Sequence, residues 1–195
     1  YDNDKLALTR CLREDPEAFR HGMEVIADYL DYLCGACLEA GADGLYFASL
    51  GGEKAMMTDE EFETFFKPYE VKLLEKYDTK APCFNVLHMC KDNLNLARYV
   101  GYPGKVINWG VHEQNLSLCE GRALLGADRV VLGGLDDRAG VLVDGTPEEI
   151  AQAVHQVLDE FGTKNIILGA DCTLPTDISM DRIAAASNAT LTYPR

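Results

Sequence analysis

At 195 residues, 47% of them apolar and 26% charged, the chain has the size and composition of one globular domain with a substantial core. A formal net charge of −14 argues against a nucleic-acid or anionic-membrane surface, since either partner would be repelled. No apolar run approaches the roughly 20 residues that span a bilayer, and the opening Tyr1-Asp2-Asn3-Asp4-Lys5 does not read as a signal peptide.

The chain starts without Met and directly in helical sequence, which suggests a processed product or a fragment of a longer protein. Asp15-Pro16-Glu17 is a helix start, and apolar residues at helical spacing from Phe19 to Leu33 predict a long helix to about Ala40. Residues 44–49 read as a buried strand. A glycine turn then leads to Thr58-Asp59-Glu60-Glu61, a capping box opening a helix that meets Pro68 and resumes to Tyr77. Phe84–His88 is a second strand, followed by a helical turn around Asn93–Tyr99 and a third strand, Val106–Trp109. Asn115–Leu125 is expected to be helical, 129–133 a strand, and Thr146-Pro147-Glu148-Glu149 the cap of a helix to Phe161. Ile166–Leu168 is a fifth strand and Asp181–Ala189 a closing helix. Such alternation specifies a parallel α/β fold, with no repeat or linker dividing it. A doubly wound sheet and a partial (β/α)8 barrel both satisfy the pattern, and a barrel would lack its first three strands here.

His88-Met89-Cys90 carries the most specific chemistry. Residues two apart on a strand face one side, so His88 and Cys90 project together, with Cα atoms about 6.6 Å apart. One soft divalent ion could bridge them at about 2.0 Å from nitrogen and about 2.3 Å from sulfur. Cys172 ends another strand-like run and supplies a plausible third donor, because strand C-termini are where α/β folds place their sites. His112 and Glu113, just past the third strand, lie where a fourth ligand would come from. The seven cysteines, odd in number and without framework spacing, fit a reducing, cytoplasmic setting. Cys34-Gly35-Ala36-Cys37 lies inside a helix and reads as packing, as do Cys11, Cys83 and Cys119. Gly51-Gly52 and Gly133-Gly134 match no phosphate-loop spacing and read as tight turns. Asp136-Asp137 reads as a solvated loop.

Gly41-Ala42-Asp43-Gly44, Phe66-Lys67-Pro68-Tyr69, Gly145-Thr146-Pro147-Glu148-Glu149-Ile150 and Leu168-Gly169-Ala170-Asp171-Cys172-Thr173-Leu174-Pro175 occur in this order. In this the chain resembles the uroporphyrinogen decarboxylase superfamily, over nearly its whole length but only the C-terminal part of the family's. The resemblance implies a single domain, residues 1–195, forming roughly the C-terminal five β/α units of a TIM-type (β/α)8 barrel. It also implies one of two chemistries. The decarboxylases remove carboxyl groups from a porphyrinogen without metal. The corrinoid-dependent methyltransferases hold zinc with a His-x-Cys pair and a distant Cys, which His88, Cys90 and Cys172 match.

The expectation is therefore a zinc methyltransferase-like enzyme moving a methyl group from a corrinoid protein to a small thiol. Glu113 would complete the metal shell, and Tyr46, Asn108 and Trp109 would line the pocket. A metal-free decarboxylase-like lyase is the first alternative and a non-catalytic zinc-binding protein the second; a thiolate-rich shell disfavours a zinc hydrolase. Lys91 departs from the family, where Gly is common after the cysteine. The exposed edge of a half-barrel would need covering by a missing segment or by another chain, as in a homo-oligomer.

Overall fold

The computed structural model describes residues 2–113 and 115–194, leaving out the side chains of residues 2–5. Helices α1 (Asp2–Glu14) and α2 (Pro16–Glu39) lead to β1 (Tyr46–Ser49), then α3 (Asp59–Phe65) and α4 (Lys67–Asp78). Next come β2 (Val86–Met89), a 3-10 turn (Leu96–Tyr99), β3 (Val106–Trp109), α5 (Leu118–Leu125) and β4 (Val130–Leu135). Short α6 (Val141–Asp144), α7 (Pro147–Phe161), β5 (Ile166–Ala170) and α8 (Met180–Thr192) complete the chain.

The boundaries follow from local chemistry. Asp15 accepts the Ala18 N–H and Pro16 fills the first turn of α2. Thr58, Ser117 and Thr146 each close a capping box with the glutamate three residues on, fixing the starts of α3, α5 and α7. The helix expected from Asn115 therefore begins at Leu118. Asn115 is used otherwise: its Oδ1 accepts the Leu94 N–H at 2.7 Å and its Nδ2 donates to Gly110 O at 2.7 Å. Phe66, Lys67 and Pro68 mark the joint between α3 and α4, where proline is tolerated in a first turn. Cys34 is buried within α2 and packs as expected, but Cys37 is exposed on the same helix, and Cys11, Cys83 and Cys119 are exposed too, so these four thiols face solvent rather than the core.

All four strand pairings are parallel, and the spatial order β1-β2-β3-β4-β5 is the sequence order. A doubly wound sheet reverses direction at a switch point; unbroken order is barrel winding, here five of the eight strands. The fold is a partial TIM barrel. Register aligns Ala48, His88, Asn108 and Leu132 in one row across β1 to β4. The alternate residues, among them Leu87, Met89, Ile107, Trp109 and Val131, face the helices and form the main core with Phe62 and Tyr99. A second cluster, including Leu135, Leu142, Ile150 and Val154, packs beneath α6, α7 and α8. The inner face is open: Tyr46 is 57% exposed and Ile167 39%, whereas Met89 and Trp109 are wholly buried on the outer side. Among the described residues no helix is long and apolar enough to cross a membrane.

One polar group lies within this packing. Both carboxyl oxygens of Glu70 on α4 lie within 2.9 Å of Ser49 Oγ, and Tyr102 donates its hydroxyl to Oε2 at 2.8 Å. The Glu70 stem keeps some surface, but its carboxyl is enclosed, and burial pushes its pKa up to about 7. The folded state therefore holds this proton more tightly than the unfolded chain. The resulting stabilisation is full below the ordinary carboxyl range and is lost as pH rises to about 7. In thermal melts, Glu70→Gln should gain on the wild type by on the order of 1–3 kcal/mol between about pH 5 and about pH 8. A constant difference across that range would contradict a buried titrating carboxyl.

Candidate metal centre

β2 delivers His88 to the inner face, and Cys90 follows one residue beyond the strand end on the same side. Cys172 comes two residues after β5, so three strand-end donors meet at one rim of the sheet. Their ligand atoms all lie within 4.8 Å of one another. Cys90 Sγ is 3.8 Å from Cys172 Sγ, and Cys172 Sγ is 3.4 Å from His88 Nε2. These spacings can be tested against a metal. A tetrahedral ion with bonds of about 2.3 Å to sulfur and about 2.05 Å to nitrogen sets sulfurs about 3.8 Å apart and sulfur–nitrogen pairs about 3.6 Å apart. The donor set fits zinc.

The protonation states agree. Burial holds His88 below the ordinary histidine range, which keeps the imidazole neutral and able to ligate. Burial first, and the neighbouring Cys172 second, push the Cys90 thiol up, so without metal it keeps its proton and metal binding must release it.

Hydrogen bonds brace His88 and the segment that carries Cys172. His88 Nδ1 makes a short contact with Asn108 Oδ1, which also accepts the Tyr46 hydroxyl at 2.7 Å. Asn108 Nδ2 donates to Leu132 O at 2.8 Å. On the other flank Asp171, wholly buried beside Cys172, accepts the Gly134 N–H at 2.9 Å. Its second oxygen is 2.8 Å from His112 Nδ1 and accepts the His112 N–H at 3.2 Å. This pairing raises the His112 pKa. Gly133 and Gly134, at φ 142° and 107°, make the approach feasible, since a Cβ on Gly133 would sit 3.2 Å from Asp171 Oδ1.

Of the residues expected around the site, Tyr46 and Asn108 join His88 on the inner face. Trp109 does not. It pairs in register with Met89, faces α5, and donates its indole N–H to Leu116 O at 2.8 Å. Gly121 makes room for that ring, because a Cβ there would lie 2.2 Å from it. Alternation along β3 makes this unavoidable: if Asn108 faces inward, Trp109 cannot. Glu113 lies outside the three-donor group, with its carboxylate folded over Gly110. Burial and the nearby Asp137 hold its pKa above the usual carboxylate range. Asp137 is buried and paired with Arg138 at 3.2 Å, rather than lying on a solvated loop. Asp171 stands next to Cys172 in the sequence, but its anchoring role comes from contacts with Gly134 and His112 that no local signal encodes.

The uroporphyrinogen decarboxylase (URO-D) family profile matches residues 3–193. The chain belongs to this family. Among solved structures it is similar to a methyltransferase from Methanosarcina mazei, with 18% sequence identity and a TM-score of 0.76. That match covers 94% of this chain and 52% of the other, so the chain spans about half the length of that methyltransferase. No curated protein sequence matches it.

The backbone at Lys91 is unusual. It stands at φ 93°, a left-handed conformation that favours glycine, directly after Cys90. A glycine would adopt this conformation without cost, and here the lysine bears the strain.

The metal assignment has a direct mutational consequence. Cys90→Ser and Cys172→Ser should each weaken zinc binding by more than the roughly 10- to 100-fold that loss of an outer hydrogen-bonding partner costs. Cys83→Ser and Cys119→Ser, both at exposed thiols, should leave it unchanged. Competition titration against a chromophoric chelator reads this directly; equal effects from all four would place the metal elsewhere.

Proposed function

We propose that this URO-D family chain belongs to a zinc-dependent methyltransferase-like enzyme that moves a methyl group from a corrinoid protein to a small thiol. The observation that carries the reading is the His88, Cys90, Cys172 triad, at the spacing of a tetrahedral zinc ion on the rim where barrel enzymes work. The methyltransferase neighbour supports it at the level of fold.

When bound, the metal would supply a cationic centre that holds the substrate thiol as thiolate, the nucleophile for a corrinoid-borne methyl group. The donor set suits that task. Two thiolates and a neutral imidazole cancel the charge of a divalent ion, which leaves a centre poor at polarising carbonyls but compatible with a nucleophilic sulfur. Tyr46 stands at the open inner face beside the triad, and burial, followed by the two thiols, pushes its phenol up to about 12. It therefore keeps its proton and stays a hydrogen-bond donor across the working range. Glu113 is the proposed fourth donor of the site before substrate enters, to be displaced by the incoming thiol, a role that requires its carboxylate to swing off Gly110. Asn108 holds His88, and Asp171 steadies the segment that carries Cys172.

The metal-free lyase alternative predicts no dependence on the thiols. Zinc-loaded protein incubated with methylcobalamin and 2-mercaptoethanol should form the methyl thioether faster than free solution does, followed by mass spectrometry and by loss of the methyl–cobalt absorbance. Cys172→Ser should bring the rate down to that of solution. Unaltered turnover in that variant would contradict the proposal, as would wild-type turnover no faster than solution.

A further inference from the structure

We propose that Asn108 is a positioning residue that fixes the tautomer of His88, placing its hydrogen on Nδ1 and leaving the Nε2 lone pair aimed at Cys172. A neutral imidazole can carry its hydrogen on either nitrogen, and only the unprotonated one can bind a metal. The structure decides between them without any hydrogen being seen, through what Asn108 is able to do.

An asparagine amide has a donating end and an accepting end, and its orientation must be set by its neighbours. Here the neighbour that settles it is a backbone carbonyl. Leu132 O lies 2.8 Å from one end of the Asn108 amide and has no hydrogen to give, so the NH2 group must face it. The other end is therefore the carbonyl oxygen Oδ1. Two groups converge on it: the Tyr46 hydroxyl at 2.7 Å and His88 Nδ1 in a short contact. Oxygen can only accept, so both must donate and Nδ1 carries the hydrogen. Asn108 is 0% exposed, which leaves no room for water to take its place. The Nε2 lone pair then points toward Cys172 Sγ, 3.4 Å away. The chain runs from β4 to β3 to β2: Leu132 orients Asn108, and Asn108 orients His88.

The choice of an amide matters for charge. Histidine ligands often donate to a carboxylate, which makes the imidazole more basic and adds a negative charge. Asn108 gives the same orientation with no added charge beside two thiolates.

The consequence for metal affinity rests on the zinc reading above; the tautomer does not. Long-range 1H–15N NMR of 15N-histidine-labelled, metal-free protein, at a pH above the ordinary histidine range, reads the tautomer directly. The His88 signal, assigned by its loss in His88→Gln, should show Nδ1 protonated. An Nε2-protonated ring in the wild type would overturn the assignment. Asn108→Leu removes the acceptor and should shift the ring toward the Nε2–H form and weaken zinc binding about 10- to 100-fold. Asn108→Asp keeps an oxygen toward His88 and should retain the Nδ1–H form, with affinity within about tenfold of wild type. If Asn108 merely clamped β3 to β4 through Leu132, the aspartate, having lost the amide donor, would fare as badly as leucine, and that result would also overturn the proposal. A wild type with the Nδ1–H signature but no affinity for zinc would sink the methyltransferase reading alone.

Discussion

The in-register pairing of His88 with Asn108 across β2 and β3 is the constraint on which the site depends. A strand presents alternate residues to opposite faces, and a slip by one residue would exchange them all. With His88 and Asn108 inward, Met89 and Trp109 are committed to the helix side, where both are wholly buried. Trp109 fits there because Gly121 lets α5 approach its ring. The packing that stabilises the sheet and the orientation that creates the site are therefore one choice of register. A register slip that took Trp109 off the helix side would also turn Asn108 away from His88.

The third donor is held by a different device. Cys172 lies beyond the end of β5, where a loop alone would leave it free to wander. The buried carboxylate of Asp171 ties this point to Gly134 on β4 and to His112 after β3. Three consecutive strand ends thus share one anchor next to the sulfur. Lys91 at φ 93° sharply turns the chain away directly after Cys90. The donors lie at metal-binding distances because hydrogen bonds and backbone turns fix the strand ends that carry them.

Much of this was legible in the sequence. Capping boxes at Thr58 and Thr146, and the alternation of apolar runs with helical periodicity, gave the parallel α/β order, since these signals are local. The His88-x-Cys90 pair could be read because a period of two is a property of any strand. Which face a buried strand presents inward was not legible. Every residue of β2 and β3 is buried, so hydrophobic patterning does not separate Asn108 from Trp109. Trp109 was consequently expected in the pocket, and only pairing with Met89 and packing on Gly121 resolved it. The burial of Asp137 and the anchoring role of Asp171 were equally hidden, because both depend on contacts between distant loops. A choice between barrel and doubly wound sheet needed the spatial strand order, which no local signal encodes.

His88, Cys90 and Cys172 are proposed to form one zinc centre. X-ray absorption at the zinc edge of the metal-loaded protein tests it most directly. The expected shell has two sulfur neighbours at about 2.3 Å and at least one imidazole nitrogen at about 2.0 Å. A shell made only of oxygen and nitrogen, or a shell of four sulfurs, would contradict it.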